Sequence, residues 1–131
     1  MKKLTREWVR KAEADYRLAV TVHGGTEPFH DAVCFHCQQS AEKYLKGLME
    51  EIGLTVPKTH DLERLRGLLT AHDAALRPLK RGLAFLTPFA VETRYPGDGA
   101  SKREAEAALR WAARVRTAAR TLLGMRPGRI T

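Results

Sequence analysis

Cys34-Phe35-His36-Cys37-Gln38-Gln39-Ser40-Ala41-Glu42-Lys43-Tyr44-Leu45-Lys46 lies inside a longer pattern that decides the fold. From Phe29 the apolar and small positions fall at 29, 32, 33, 36, 37, 40, 41, 44, 45, 48, 49 and 52, in steps that alternate three and one. That spacing is one face of an α-helix. Most of the stripe is apolar (Phe29, Val33, Cys37, Tyr44, Leu45, Leu48 and others), with His36 and Ser40 as interruptions. Beside it runs a polar row of Gln38, Gln39, Glu42, Lys43 and Lys46. A core helix needs one apolar face. It does not need paired glutamines followed by Glu-Lys, so this row is expected to present amides and ions outward.

Working outward, Pro28 suits the first turn of this helix and Gly53 the position just past its end. A helix from Pro28 to Ile52 is roughly 35 Å long at about 1.5 Å per residue. Upstream, Trp8, Val9, Ala12, Tyr16, Ala19 and Val20 recur at helical spacing from Thr5 to Val22. Thr5 is the expected N-cap, and Gly24-Gly25 the stop. Downstream, Thr59 is the expected cap of a short helix whose buried side is Leu62, Leu65, Leu68 and Leu69. Another helix is expected from Pro78 to about Phe89, kinked or ended by Pro88. The turn-rich loop from Val91 to Ala100 precedes Ser101-Lys102-Arg103-Glu104, a capping box for a last helix with an inner stripe from Ala105 to Leu123. No segment alternates with period two. The expected architecture is all-α: an antiparallel up-and-down four-helix bundle with an additional short helix.

The 131 residues suit one domain, with a core over about 5–123 and a basic tail over 124–131. A net charge of +8 permits binding to nucleic acid, nucleotide or an acidic protein. Arg103, Arg110 and Arg114 form one basic flank of the last helix, with Arg116 and Arg120 in a neighbouring row and Arg126 and Arg129 beyond. No secretory signal and no membrane-length apolar run is legible, so a cytoplasmic protein with reduced thiols is expected. His30, Cys34 and Cys37 share a helix side, but a structural zinc site needs four ligands and there is no second cysteine pair. No metal and no cofactor is expected. Gly-x-Ser-x-Gly, Walker, His-Glu-x-x-His and Gly-x-Gly-x-x-Gly motifs are missing, which argues against common hydrolase, ATPase and dehydrogenase classes.

The block Cys34 to Leu48, followed by Gly53, Thr59-His60-Asp61-Leu62 and Arg94-Tyr95-Pro96, resembles the signature of the HEPN domain family over roughly residues 5–123. Ala14-Asp15-Tyr16 in the first helix agrees with it. The resemblance implies a helical bundle that commonly forms a homodimer. It also implies a minimal nucleotidyltransferase as partner in a toxin–antitoxin-like pair, and nucleotide or RNA binding in some branches. Other branches are ribonucleases that use an Arg, four to six residues, and a His, completed across a dimer.

In this chain Arg94 is expected to grip phosphate, Tyr95 to stack on a base or ribose, His60 to donate a hydrogen bond and Lys43 to add charge. Alternatively His60 closes a helix terminus and Tyr95 packs its loop. Gln38, Gln39 and Glu42 are expected at a self-complementary dimer seam, where an amide near the two-fold axis can meet its own copy. Arg66 and His72, with five residues between them, fit the ribonuclease spacing: His72 as general acid/base, Arg66 as stabiliser of charge on phosphate. The leading expectation is a binding and interaction module. The alternatives are a metal-independent endoribonuclease toxin and a purely structural dimeric scaffold.

Overall fold

A computed structural model describes residues 1–91 and 95–126 of the chain. Six α-helices run in chain order: α1 (Lys3–His23), α2 (His30–Glu51), α3 (Leu62–Leu68), α4 (Asp73–Leu76), α5 (Lys80–Leu86) and α6 (Lys102–Leu122). Among the described residues there is no strand. The three long helices form three sides of an antiparallel bundle. The fourth side is a succession of short helices and 3₁₀ turns from α3 to Ala90.

The expected rod over Phe29–Ile52 exists as the unbroken helix α2, starting two residues after Pro28. Gly53 stops it at φ +80°, a left-handed conformation that only glycine adopts without strain. Thr5 does not cap α1. It is buried within the first turn, and its hydroxyl donates to Glu51 at 2.9 Å, as does the Lys2 amide. The start of α1 is thereby fastened to the end of α2. Asp61, not Thr59, caps α3, accepting from the amides of Glu63 and Arg64 at 3.1 and 3.3 Å. Leu62, Leu65 and Leu69 are buried as expected, whereas Leu68 is exposed.

The helix expected over 78–89 is divided into Arg77–Leu79, α5 and Thr87–Ala90, the flanking pieces being 3₁₀. Pro78 and Pro88 bring no N–H to an α-ladder, and each falls in one of the tighter turns. Gly82 lets α5 lie against α6: a Cβ there would stand 2.0 Å from the Trp111 ring. The capping box of α6 is present, with Ser101 Oγ accepting from the Glu104 amide at 3.0 Å and Glu104 accepting from the Ser101 amide at 2.9 Å.

Helix α2 is the central element, packed against α1, α6, α3, α5 and the Thr87–Ala90 turn. This overturns the expected division into a buried flank and an outward polar flank. From Cys37 to Met49 only Gln39 and Lys43 retain partial exposure. Gln38, Glu42 and Lys46 are buried beside Leu45 and Met49. With neighbours on most sides, Gln38, Glu42 and Lys46 have little water to face, and Glu42 accepts from the other two.

Candidate functional site

Glu42 is the centre of that polar row. Its Oε1 accepts from Gln38 Nε2 at 3.1 Å and from His60 Nδ1 at 2.7 Å; its Oε2 accepts from Lys46 at 3.0 Å. Burial pushes the Glu42 carboxyl up, but the bonds from His60, Lys46 and Gln38 outweigh it and hold the group below its ordinary range. An ionised carboxylate only accepts, so His60 Nδ1 must carry the proton. Gln38 Nε2 also donates to the His60 carbonyl at 3.2 Å, while its own oxygen accepts from Gln39 at 2.7 Å. Paired glutamines in mid-helix thus fasten the α2–α3 connection. Gln38 and Glu42, the expected seam residues, are buried in this internal network; Gln39, half-buried, is the member nearest solvent.

His60 itself is 64% exposed, and its second ring nitrogen has no protein partner among the described residues. Asp31 lies on the same side of α2 as Gln38 and Glu42, by helical spacing, and accepts from the Ala100 amide at 2.6 Å. The 95–100 segment is therefore moored to the side of α2 from which His60 projects, eleven residues or about 16 Å along the axis from Glu42. Tyr95 is 67% exposed and does not pack its loop. Arg94 lies outside the described residues. Lys43 belongs to another group: it donates to Asp15 Oδ2 at 2.5 Å, and His36 Nδ1 contacts Asp15 Oδ1 at 2.8 Å, on the α1 side of α2. The structure brings His60 and the Tyr95 segment to one side and takes Lys43 away from them.

A second cluster has no counterpart in the sequence reading. Glu13 of α1 receives a bidentate pair of bonds from Arg116 of α6, at 2.8 and 2.7 Å, and a hydrogen bond from Tyr44 of α2. Arg17 and Arg120 stand at 3.8 and 3.9 Å from the same carboxylate. Burial raises the Glu13 pKa, but bonds from Arg116 and Tyr44 and the nearby Arg charges bring it below the usual range. Burial, with the bond to Glu13, lifts the Tyr44 hydroxyl to about 12. Charge alone places Arg116 in an exposed basic row; it is instead buried, its guanidinium also over the Tyr16 ring at 5.2 Å. The available signal is its position, one residue after Val115 on the inner stripe of α6. Arg103, Arg110 and Arg114 are exposed as expected; Arg129 lies outside the described residues.

The remaining candidates are also placed. The Arg66 guanidinium is held by Glu63 at 2.8 and 3.3 Å and by Asp73 at 3.4 Å, so two carboxylates already occupy it. His72 sits half-buried in the 3₁₀ turn Thr70–His72. Cys34 and Cys37 are fully buried; burial pushes Cys34 up to about 12 and raises Cys37 too, so both are inert thiols packed as small hydrophobes. No three His, Cys, Asp or Glu side chains among the described residues converge as metal ligands. No described helix is long and apolar enough to cross a membrane.

An all-helical bundle with a buried Gln-Gln-x-x-Glu network bonded to a His-Asp-Leu segment defines a class as well as a fold. The sequence model of the HEPN domain matches residues 5–122, and the chain belongs to that family. Two solved structures are similar over nearly their whole length. TT1696 from Thermus thermophilus shares 27% identity at a TM-score of 0.78, over 92% of this chain and 98% of that one. ST0689, an archaeal HEPN homologue, shares 27% identity at a TM-score of 0.73, over 94% and 99%. No curated protein matches the chain.

Proposed function

We propose that this HEPN domain is a binding and interaction module that acts as a homodimer, engages a minimal nucleotidyltransferase, and takes nucleotide or RNA on the side of α2 where His60 and the Tyr95 segment lie. One observation carries the reading: Glu42 orients His60 by its Nδ1 and leaves the other ring nitrogen free. A neutral ring offers a lone pair there, and a protonated ring offers a donor to phosphate. Tyr95, exposed and next in sequence to Arg94, supplies a face on which a base can stack.

The test is fluorescence anisotropy of the purified protein with single-stranded RNA and with ATP at low salt. His60→Ala and Tyr95→Ala are each expected to weaken binding by roughly tenfold, in keeping with the loss of one charged hydrogen bond or one stacked base. Absence of binding by the wild type, or equal binding by all three proteins, refutes the nucleotide and RNA part of the reading. The dimer is tested by light scattering of Gln39→Arg, which places like charges at the proposed seam and is expected to give monomer.

The ribonuclease alternative gains no support from the fold, because Arg66 is occupied by Glu63 and Asp73. Incubation with RNA in EDTA is expected to leave it intact with wild type and with His72→Ala alike. Cleavage that disappears in His72→Ala would restore the enzymatic reading.

A further inference from the structure

Between α1 and the C-terminal end of α6 runs an open groove of about 500 Å³. Its apolar lining is aliphatic and thioether: Val9, Ala14, Met1 and Met125. Its lining also carries exposed Arg6, Arg10 and Arg17, and Arg120, which is largely covered and donates to the Arg126 carbonyl at 2.7 Å. Among the described residues Glu13 is the one acid in the lining, and its carboxylate is already claimed by Arg116 and Tyr44. Arg17 and Arg120 reach it only at 3.8 and 3.9 Å. Arg6 and Arg10 are exposed and meet no carboxylate among the described residues. Three exposed guanidiniums, with Arg120 beside them, thus line an apolar strip whose one carboxylate among the described residues is engaged by Arg116.

We infer that this groove docks an acidic amphipathic helix of a partner protein. Three features select that occupant. The unbalanced cations ask for an anion, since opposite potentials face each other across specific interfaces. The apolar lining asks for aliphatic side chains; no aromatic ring lines the groove, so a nucleic-acid strand finds no stacking platform. The shape asks for a rod: Arg6, Arg10 and Arg17 share one face of α1 and span eleven residues, about 16 Å, the rise of three helical turns. A partner helix with leucines toward Val9 and Met125 and glutamates toward the arginines meets all three, in the manner of other helix-in-groove complexes. The two methionines of the lining, Met1 and Met125, adapt to an imperfect fit.

The inference rests on reading the chain as an interaction module, but its site is separate. The groove borders α1 and α6, while His60 projects from the α3 side of α2. The experiment titrates the full chain with a fluorescent designed helix of about 14 residues, glutamates on one face and leucines on the other. Three controls accompany it: a Glu/Ser peptide of equal charge, a Lys/Leu peptide of equal hydrophobicity, and dodecanoate. The variant is Arg6→Glu with Arg10→Glu. Both side chains are exposed and glutamate is a good helix former, so α1 is expected to persist.

The Glu/Leu peptide is expected to bind at least about tenfold more tightly than either control peptide, and the variant to lose at least that factor while RNA binding and melting temperature stay unchanged. Several results would overturn the proposal: no binding of the Glu/Leu peptide, equal binding of the Glu/Ser peptide, or full binding by the variant. Saturation by dodecanoate without the peptide would make the groove a small-ligand pocket instead. Loss of RNA binding in the variant would assign the arginines to nucleic acid. Failure of His60→Ala to weaken RNA binding would, by contrast, leave the groove standing and remove only the nucleotide site.

Discussion

Glu42 and Glu13 are both shielded carboxylates held ionised by hydrogen-bond donors, Glu42 by two from its own helix and His60, Glu13 by two from other helices, yet they leave the molecule with different surfaces. Around Glu42 the bonding closes: one lysine, one imidazole and one amide fill its two oxygens, and the far nitrogen of His60 is left open among the described residues. Around Glu13 it stays open. Arg116 takes both oxygens, and Arg17 and Arg120 crowd a group that has little left to give. The first cluster fixes a connection between α2 and α3 and aims a single side chain. The second joins α1, α2 and α6 and leaves positive charge over. A structural ion cluster therefore acts beyond its own stability: its stoichiometry sets what the neighbouring surface can attract.

The contrast is tested hardest at Glu13. Its removal takes a bidentate carboxylate from Arg116, whose side chain is almost wholly covered, and breaking such a pair is costly. Glu13→Ala is expected to lower unfolding free energy by about 3 kcal/mol, read as a lower denaturant midpoint at constant m-value. Glu13→Leu combined with Arg116→Met should recover most of the loss, because both charges are then removed together. A double variant as unstable as the single one would mean that the carboxylate matters for something other than pairing.

Glu42→Gln is the next largest, at about 2 kcal/mol at neutral pH. Its pH dependence follows from a carboxyl held below its unfolded value. The stabilisation is full above the unfolded pKa and is lost as pH falls through the folded one. Wild type and Glu42→Gln should therefore converge in melting temperature as pH drops through and below the ordinary carboxylate range. A constant gap from neutral to acid pH would contradict ionised Glu42.

His60→Ala removes one bond from an oxygen that Gln38 still serves, at an exposed site. A loss of about 1 kcal/mol is expected, with the larger effect on ligand binding. Arg17→Ala is the smallest. Its pair with Glu13 is long and 68% exposed on the arginine side, so stability should change by less than about 0.5 kcal/mol, while affinity for the acidic helix falls measurably. If Arg17→Ala destabilises as much as His60→Ala, the two clusters are more alike than their geometry indicates.

Only the Glu42 cluster is partly legible in the chain. The Gln38-Gln39-x-x-Glu42-Lys43 row stands out because amides and ions in mid-helix need a reason. The expectation of an outward surface fails because helical spacing sorts residues by direction and says nothing of how many directions are filled. Arg116 is misplaced for a related reason. Charge suggests solvent, while its place beside Val115 and Ala119 points inward, and its partner stands 103 positions away. Thr59 and Asp61 illustrate a smaller miss: both can cap, and the start of α3 at Leu62 selects Asp61.

Local sequence was enough for the long helices, the stop at Gly53, the capping box at Ser101 and the family, because these depend on neighbours a few residues apart along one chain. Packing between helices was needed to enclose α2, to join Lys43 to Asp15 while Glu42 joins His60, and to leave Glu13 outnumbered by arginines. Those outcomes depend on which side chains meet across helices, and on whether water is present to solvate a charge when they do.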